Sequence, residues 1–270
     1  MKSNQTYDIS FIIPAHNEAA KLETTVNSVL AQRNIHPQLI IIDGSSQPPL
    51  KDLFTHKSWN KQIFRLKTDR GASFARNQGL LKVKAPFVCF LDADDILEPS
   101  FGEQMIAFIK KSNSAALCLS KTLFDDDLQF INKFVFSLIN YSRNLILRTL
   151  FLINKQKLPL SAFFAVSTSR LVFPTKLAQE LKFNESANQC EDWELGIRTI
   201  KKAGIKIVPE KLLLFRFSSS SQTRKTRKKY GLKKYYQICK LIGKEKQNHP
   251  LIIGFKLYTK VLEKYYEIHP

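Results

Sequence analysis

The chain has 270 residues and carries 42 Lys and Arg against 23 Asp and Glu, a formal net charge of +19. That length holds one large domain or two small ones, with ample chain for a buried core. A composition of 44% hydrophobic and 24% charged residues excludes wholesale disorder and fibrous classes. No apolar run reaches the roughly 18 residues of a spanning helix, and the N-terminal stretch lacks a signal-peptide layout, so neither a membrane span nor secretion is expected.

In chain order, the apolar, β-branched run from Asp8 to Pro14 reads as a buried strand. Glu18 to Gln32 follow, with Leu22, Val26, Val29 and Leu30 on one helical face. Leu39–Ile42 is a second buried strand, stopping at Asp43-Gly-Ser-Ser46, and Gln62–Leu66 fits a weaker third. A helix opens at Arg70-Gly-Ala-Ser73 and runs to about Leu81, with Ser73 as its N-cap. Phe87–Leu91 is a fourth strand leading into Asp92-Ala-Asp-Asp95. Pro99 starts a helix that runs to Lys111, with the proline in its first turn, and Ala115–Ser120 is a fifth strand. Residues 130–153 are apolar with helically spaced breaks at Lys133, Arg143 and Arg148. Two readings stand for them: an interfacial helix, or a helix buried against the sheet. Cys190 to Ala203 reads as an amphipathic helix ended by Gly204, and Ser218–Ser221 as a linker. Strands alternating with helices imply a mainly parallel, Rossmann-like α/β sheet with helices on both faces.

In such a sheet the ligand crevice lies outside the carboxyl ends of the strands. Asn17 and Glu18, Asp43, and Asp92 with Asp94 all fall at those ends and are expected to face one crevice. An Asp-x-Asp directly after a buried strand offers two hard oxygen ligands on a tight turn, suited to Mg2+ or Mn2+ held together with a diphosphate. An N-cap or Asx turn is the structural alternative for that segment. Asp125-Asp-Asp127, with nothing strand-like to aim it inward, reads as surface. In Glu191-Asp-Trp-Glu-Leu195 the acids favour a helix N-terminus, and Asp192 is placed to serve as a general base. There is neither GxGxxG nor GxxxxGK[ST], so the dinucleotide and P-loop cradles are missing. The four cysteines, Cys89, Cys118, Cys190 and Cys239, contain no CxxC pair, which points away from a zinc cage or disulfide framework and toward a reducing cytosol. None of the five histidines shows ligand spacing, and all read as surface or loop residues.

Five ordered segments carry a resemblance: Ser10 to Glu18, Asp43-Gly-Ser-Ser46, Gly71-Ala-Ser-Phe-Ala-Arg-Asn-Gln-Gly79, Leu91-Asp-Ala-Asp-Asp95 and Glu191-Asp-Trp-Glu-Leu195. In order and approximate spacing they resemble the family 2 glycosyltransferases of the GT-A fold, over roughly residues 7 to 215. The resemblance implies that Pro14, Ala15 and Glu18 form the first nucleotide-contacting loop and that Asp43 reads the base. It places Arg76 near the nucleotide, and Asp92 and Asp94 at ribose, diphosphate and a divalent cation, Mn2+ or Mg2+, with Asp94 the main metal ligand. Asp192 is then the catalytic base, supported by Glu191 and Trp193. The implied reaction is inverting transfer of a sugar from a nucleotide diphosphate sugar, a UDP-sugar above all, to a hydroxyl of a saccharide or lipid-linked acceptor in cell-envelope polysaccharide or glycolipid synthesis. Residues 1–120 would be the nucleotide-sugar half, and 121–215 the half that binds acceptor and carries the base, with Ala162–Val166 and Phe183–Glu185 on the acceptor side. Gly44 stands where many members have a second aspartate, and Gln222-Thr-Arg-Lys225 is no Gln-x-x-Arg-Trp, which argues against a processive synthase.

Two other readings are open. A nucleotidyltransferase would want a Gly-rich basic loop where this chain has Pro14-Ala-His-Asn-Glu18. A nucleic-acid-binding protein would use the basic residues of 216–270, where 14 basic side chains face 3 acidic ones. That segment reads as a basic helical tail. Because the expected site is itself acidic, the tail fits an anionic membrane surface better than nucleic acid. A cytoplasmic protein, peripheral on the inner face of the membrane, is the resulting expectation.

Overall fold

A computed structural model describes residues 6–110, 112–125, 130–153, 157–187 and 191–217. The basic tail from Ser218 onward, Asp126, Asp127 and Cys190 lie outside the described residues. Among the described residues eight strands form one sheet: β1 (Ile9–Ala15), β2 (Pro37–Asp43), β3 (Ile63–Arg65), β4 (Phe87–Phe90), β5 (Ile96–Leu97), β6 (Ala115–Phe124), β7 (Leu171–Pro174) and β8 (Ile205–Phe217). Their order across the sheet is β3-β2-β1-β4-β7-β6-β8-β5. Strands β3, β2, β1 and β4 are parallel, β7 runs antiparallel to both β4 and β6, β6 and β8 are again parallel, and β5 closes the edge antiparallel to β8.

Period-two alternation divides the core between the two faces. Ile9, Phe11 and Ile13 of β1 pack with Leu22, Val26 and Val29 of α1 (Ala19–Leu30) and with Phe101 and Met105 of α4 (Phe101–Ile109). Ile12 and Ile40 face the other way, toward α3 (Ala72–Leu80), α6 (Thr175–Leu181) and α7 (Glu191–Lys202), together with Leu147 and Leu150 of α5 (Phe130–Ile153). A short helix, α2 (Leu50–Leu53), follows β2. The expected strands and long helices are present to within a few residues, on a mixed sheet covered on both faces.

Several local expectations are corrected. Gly71, not Ser73, is the N-cap of α3, and Ser73 lies inside the first turn; the turn is instead fastened by Gly71 N–H donating to Asp69 Oδ1 at 2.9 Å. Pro99 precedes α4, whose N-cap is Ser100, because its carbonyl is used by Arg33 N–H. Strand β6 continues past Ser120 to Phe124, since pairing with β8 holds residues whose polarity ends the apolar run. Asp125 is half-buried between Lys21 at 3.4 Å and Arg216 at 3.8 Å rather than free surface. Strand β8 contains Pro209 and Glu210 and accommodates them with register shifts against β6 between Cys118 and Ser120.

Helix α5 packs on the sheet along one side and is exposed along the other. Phe136, Leu147 and Leu150 are buried, while Phe134, Leu138, Tyr141, Leu145 and Leu152 form an exposed apolar stripe 50–78% accessible. On the buried side Asn144 Nδ2 donates to Ser120 O at 2.6 Å and Asn140 Nδ2 to the same oxygen at 3.0 Å, docking the helix on β6.

Candidate active site

The parallel register places Ala15 beside Asp43, and Asp43 beside Arg65, so the ends of β1, β2 and β3 form one rim. The first two loops are tied there: Gly44 N–H donates to Ala15 O at 2.8 Å, Asn17 N–H to Ser46 Oγ at 2.9 Å, and His16 Nδ1 lies 2.6 Å from Gly44 O. Pro14 is half-buried, Ala15 buried, and Glu18 half-buried at the start of α1. Asp43 is held from several sides. Its carboxylate is fully buried: Oδ1 accepts from Ser46 N–H at 2.8 Å, and Oδ2 from Leu50 N–H at 3.2 Å and Arg65 Nη1 at 2.8 Å. Burial would raise its pKa, but the Ser46, Leu50 and Arg65 hydrogen bonds outweigh that and hold it below the usual value. The carboxylate thereby fastens the loop that follows it and pairs with Arg65 of β3.

The loop after β4 is held from three sides. Asp92 N–H donates to Ser169 Oγ at 3.1 Å, Thr25 Oγ1 to Ala93 O at 2.9 Å, and Arg216 N–H to Asp95 Oδ1 at 3.1 Å. Three carboxyls are thereby crowded together. Burial and then the Asp92 charge raise Asp94 to about 6, with Glu18 adding to the rise and Lys21 opposing it. Burial, Asp92 and Asp94 push the completely buried Asp95 well above the ordinary range.

Arg76 joins this loop to the second acidic motif. It is 5% exposed; Nη2 donates to Asp92 Oδ1 at 2.7 Å and Nη1 to Glu191 Oε1 at 3.4 Å, with the guanidinium 5.1 Å from the Phe183 ring centroid. Burial disfavours its charge, yet Asp92, Glu191 and Asp192 raise its pKa on balance. Asp192 is half-buried, with Oδ1 accepting from Trp193 N–H at 2.9 Å. Its pKa rises to about 7, first through burial and then through Glu191, against the Trp193 hydrogen bond and the charges of Arg76 and Arg143. Trp193 meets Phe163 edge-on at 6.0 Å, and Asn77 fastens Phe183 by bonds to its N–H and C=O, each 2.9 Å. The segments around 163 and 183 thus support the base-bearing helix and Arg76.

The expected residues from β1, β4, α3 and α7 are therefore brought together, and Asp43 fastens the loop after β2 on the same rim. Arg65 and Ser169 were not expected as site-forming residues, whereas Phe183 lies in a segment expected on the acceptor side. Asn77, within the Ala-Arg-Asn segment, was the one available signal for the tie to Phe183. Among the described residues no group of three or more His, Cys, Asp or Glu is arranged to hold a metal ion. Asp94 is suited to a different arrangement. Burial and then the like charges of Asp92 and Glu18 raise its pKa, with the Lys21 charge opposing them. It would gain from a cation whose other ligands come from a substrate diphosphate, as Mg2+ sites commonly are built.

The chain is 29% identical over 132 residues to TuaG of Bacillus subtilis, named for teichuronic acid biosynthesis (47% of this chain, 52% of that protein). It is 37% identical over 111 residues to the poly(ribitol-phosphate) beta-N-acetylglucosaminyltransferase TarP of Staphylococcus aureus (39% and 34%). With poly-beta-1,6-N-acetyl-D-glucosamine synthase of Staphylococcus aureus it shares 35% over 104 residues (38% and 25%). These matches span about half or less of each relative's length. Staphylococcus aureus TarS 1–349 in complex with UDP-GlcNAc superimposes with a TM-score of 0.63 at 16% identity, over 89% of this chain and 67% of that one. The Pyrobaculum calidifontis mannosyltransferase PcManGT, in complex with GDP-Man and Mn2+, gives 0.57 at 12%, over 87% and 64%. Both likenesses show the fold. The glycosyl transferase family 2 model matches residues 10–179, more than half of the chain, and the chain belongs to that family.

Proposed function

We propose that the chain is a metal-dependent, inverting glycosyltransferase that moves a sugar from a nucleotide diphosphate sugar to an acceptor hydroxyl in cell-envelope polysaccharide or glycolipid synthesis. The observation that carries this reading is Arg76, which joins the Asp92 loop to Glu191, the neighbour of Asp192. Donor-side and base-side carboxylates thereby share one buried cation. A UDP-sugar is the preferred donor, since TarS, of the same fold, binds UDP and UDP-GlcNAc.

Pro14, Ala15, Glu18 and the loop shaped by Asp43 receive the nucleotide, and Arg76 keeps Asp92 oriented toward the diphosphate. Asp94 with Asp92 would hold Mn2+ or Mg2+, which when bound supplies Lewis-acid charge to the departing diphosphate. Asp192 takes the proton of the acceptor hydroxyl as its oxygen bonds to the anomeric carbon and the bond from that carbon to the diphosphate oxygen breaks. One such displacement inverts the anomeric centre, through an oxocarbenium-like transition state by analogy with glycoside hydrolysis. General-base assistance typically contributes ~10^2–10^4 in rate. Asp192→Asn should lose transfer by that order while titrating UDP normally. Full transfer by that variant would remove Asp192 from the role.

The acceptor is a saccharide or a lipid-linked glycan, as the polymers named for the relatives suggest. No helix among the described residues is long and apolar enough to cross a membrane. The exposed stripe of α5 has the exposed Arg148 within it, and the chain as a whole is strongly positive. These features support peripheral contact with an anionic membrane face on the cytoplasmic side.

A further inference from the structure

The histidine that follows β1 joins the donor-side loops, and it does so in one protonation state. His16 Nδ1 lies 2.6 Å from Gly44 O, and a carbonyl oxygen only accepts, so Nδ1 carries a proton. His16 Nε2 lies 3.0 Å from Asn17 Nδ2. The orientation of that amide is set from its other end, because Asn17 Oδ1 accepts from Gln47 N–H at 2.9 Å. Asn17 Nδ2 therefore donates, and His16 Nε2 must offer its lone pair. Both contacts are satisfied by the neutral imidazole protonated on Nδ1 and by no other form of the ring.

The surrounding backbone depends on such ties. Asn17 and Ser45 have φ of 58° and 66°, in the left-handed region that residues other than glycine rarely adopt. Each is fastened across loops: Asn17 N–H donates to Ser46 Oγ at 2.9 Å, and Ser45 Oγ donates to Leu66 O at 2.9 Å. A Cβ added at Gly44 would lie 3.3 Å from Asp69 Oδ1 and 3.4 Å from His16 Cβ, so three loops meet at that residue. Asp69 Oδ2, 3.8 Å from Nδ1, favours a charged ring. Of the other charges on or beside these loops, Asp43 is paired with Arg65 and Arg70 with Glu185, which leaves Glu18 and Lys67.

A second proton would set His16 Nε2–H against Asn17 Nδ2–H, donor against donor. Turning the amide over repairs that contact but sets its NH2 against Gln47 N–H. One tie between the first two loops is lost either way.

We propose that His16 is a positioning residue for the nucleotide: as a neutral imidazole it holds the loops after β1 and β2 together, and a proton on Nε2 removes a tie and weakens donor binding. That these loops receive the nucleotide rests on the function proposed above; the state of the ring rests on the hydrogen bonds alone.

The test pairs a spectroscopic reading with a binding one. In the full chain labelled with 15N at histidine, the His16 ring, identified by its loss in His16→Gln, should give the signature of the Nδ1–H tautomer at pH 8 without ligand. An Nε2–H tautomer there, or a charged ring, would overturn the proposal. UDP is then titrated without added metal from pH 8 to pH 5.5, a range in which histidines change charge. The affinity of the parent should fall ~2- to 10-fold more than that of His16→Gln, the worth of one hydrogen bond. Asn17→Asp supplies a carboxylate that accepts from both Gln47 N–H and a protonated Nε2, so its pH dependence should flatten or reverse against the parent. Titration of the site carboxyls and of UDP itself is common to the three chains and cancels in the comparison. Equal slopes in all three would overturn the positioning role. Failure of the parent to bind UDP at any pH would overturn the donor reading and the role in nucleotide binding with it, while the ring signature is read separately.

Discussion

At Asp192 two effects compete, and their balance sets when the proposed base can work. Burial and the Glu191 charge favour the protonated form, while Arg76, Arg143 and the Trp193 hydrogen bond favour the carboxylate; the outcome is a pKa of about 7. A base must be ionised to accept a proton, so kcat/KM should fall about tenfold per pH unit below pH 7 and level off above it. Glu191→Gln removes a like charge and should move that limb to lower pH; an unmoved limb would detach it from Asp192. The same shift has a stability sign. A carboxyl raised above its unfolded value near 4 binds its proton more tightly when folded, so its contribution is largest at low pH and is lost as pH rises through about 7. Asp94 is raised for a related reason, by burial and by Asp92, and should respond to a cation instead. UDP titrated with and without Mn2+ should show metal-enhanced affinity that Asp94→Ala reduces at least tenfold. Retained enhancement in that variant would dissociate Asp94 from the metal. At this scale the acids of the site were legible because they follow strand ends or open a helix. The burial of Asp43 was not, since it depends on Ser46, Leu50 and Arg65 folding back on it. Nor was the pairing of Arg76 with Glu191, which are 115 positions apart.

Between elements, close approach is decided by single atoms. A Cβ added at Gly79 would lie 2.4 Å from Ile12 Cγ2, so α3 reaches β1 only because that position has no side chain. Gly79→Ala gains about 1 kcal/mol of helix propensity but overpacks the core, at a typical cost of about 1–3 kcal/mol. Chemical denaturation should show net destabilisation, and Ile12→Ala in the same chain should relieve part of it; strict additivity would place the clash elsewhere. Helix α5 poses the opposite question, a face with too few neighbours. Leu138→Gln with Leu145→Gln should keep the fold and reduce flotation with phosphatidylglycerol vesicles, with little binding to phosphatidylcholine in either form. Unchanged flotation would assign membrane contact to other parts of the chain. The long elements were legible because burial imposes a period on them. Strand β7, with four residues, is too short to show one, and β8 interrupts its own pattern at Pro209 and Glu210.

Over the whole molecule the sheet is continuous from β3 to β5, and the second half of the chain is woven into the first rather than appended to it. The alternation of strands and helices revealed the parallel half, where each strand is followed by its own crossover helix. The antiparallel insertion of β7 between β4 and β6 was illegible, because pairing partners distant in sequence leave no local trace. The charge excess of residues 216–270 falls almost wholly outside the described residues, and its role is for the vesicle measurement to decide.

The position of β8 has a consequence for how the protein is made. Leu212 O receives Glu98 N–H at 2.9 Å and Arg216 N–H reaches Asp95 Oδ1 at 3.1 Å, so the loop bearing Asp92 and Asp94 is fastened by a strand that lies over a hundred residues later. Synthesis runs from the N-terminus. The β-α-β units of the first hundred residues can collapse as they emerge, with Thr25 already holding Ala93 O, but the acidic loop gains its bonds from Asp95 and Glu98 only when β8 has left the ribosome. A nascent chain stalled before residue 217 would have its first loops in place and an acidic loop lacking its two ties to β8.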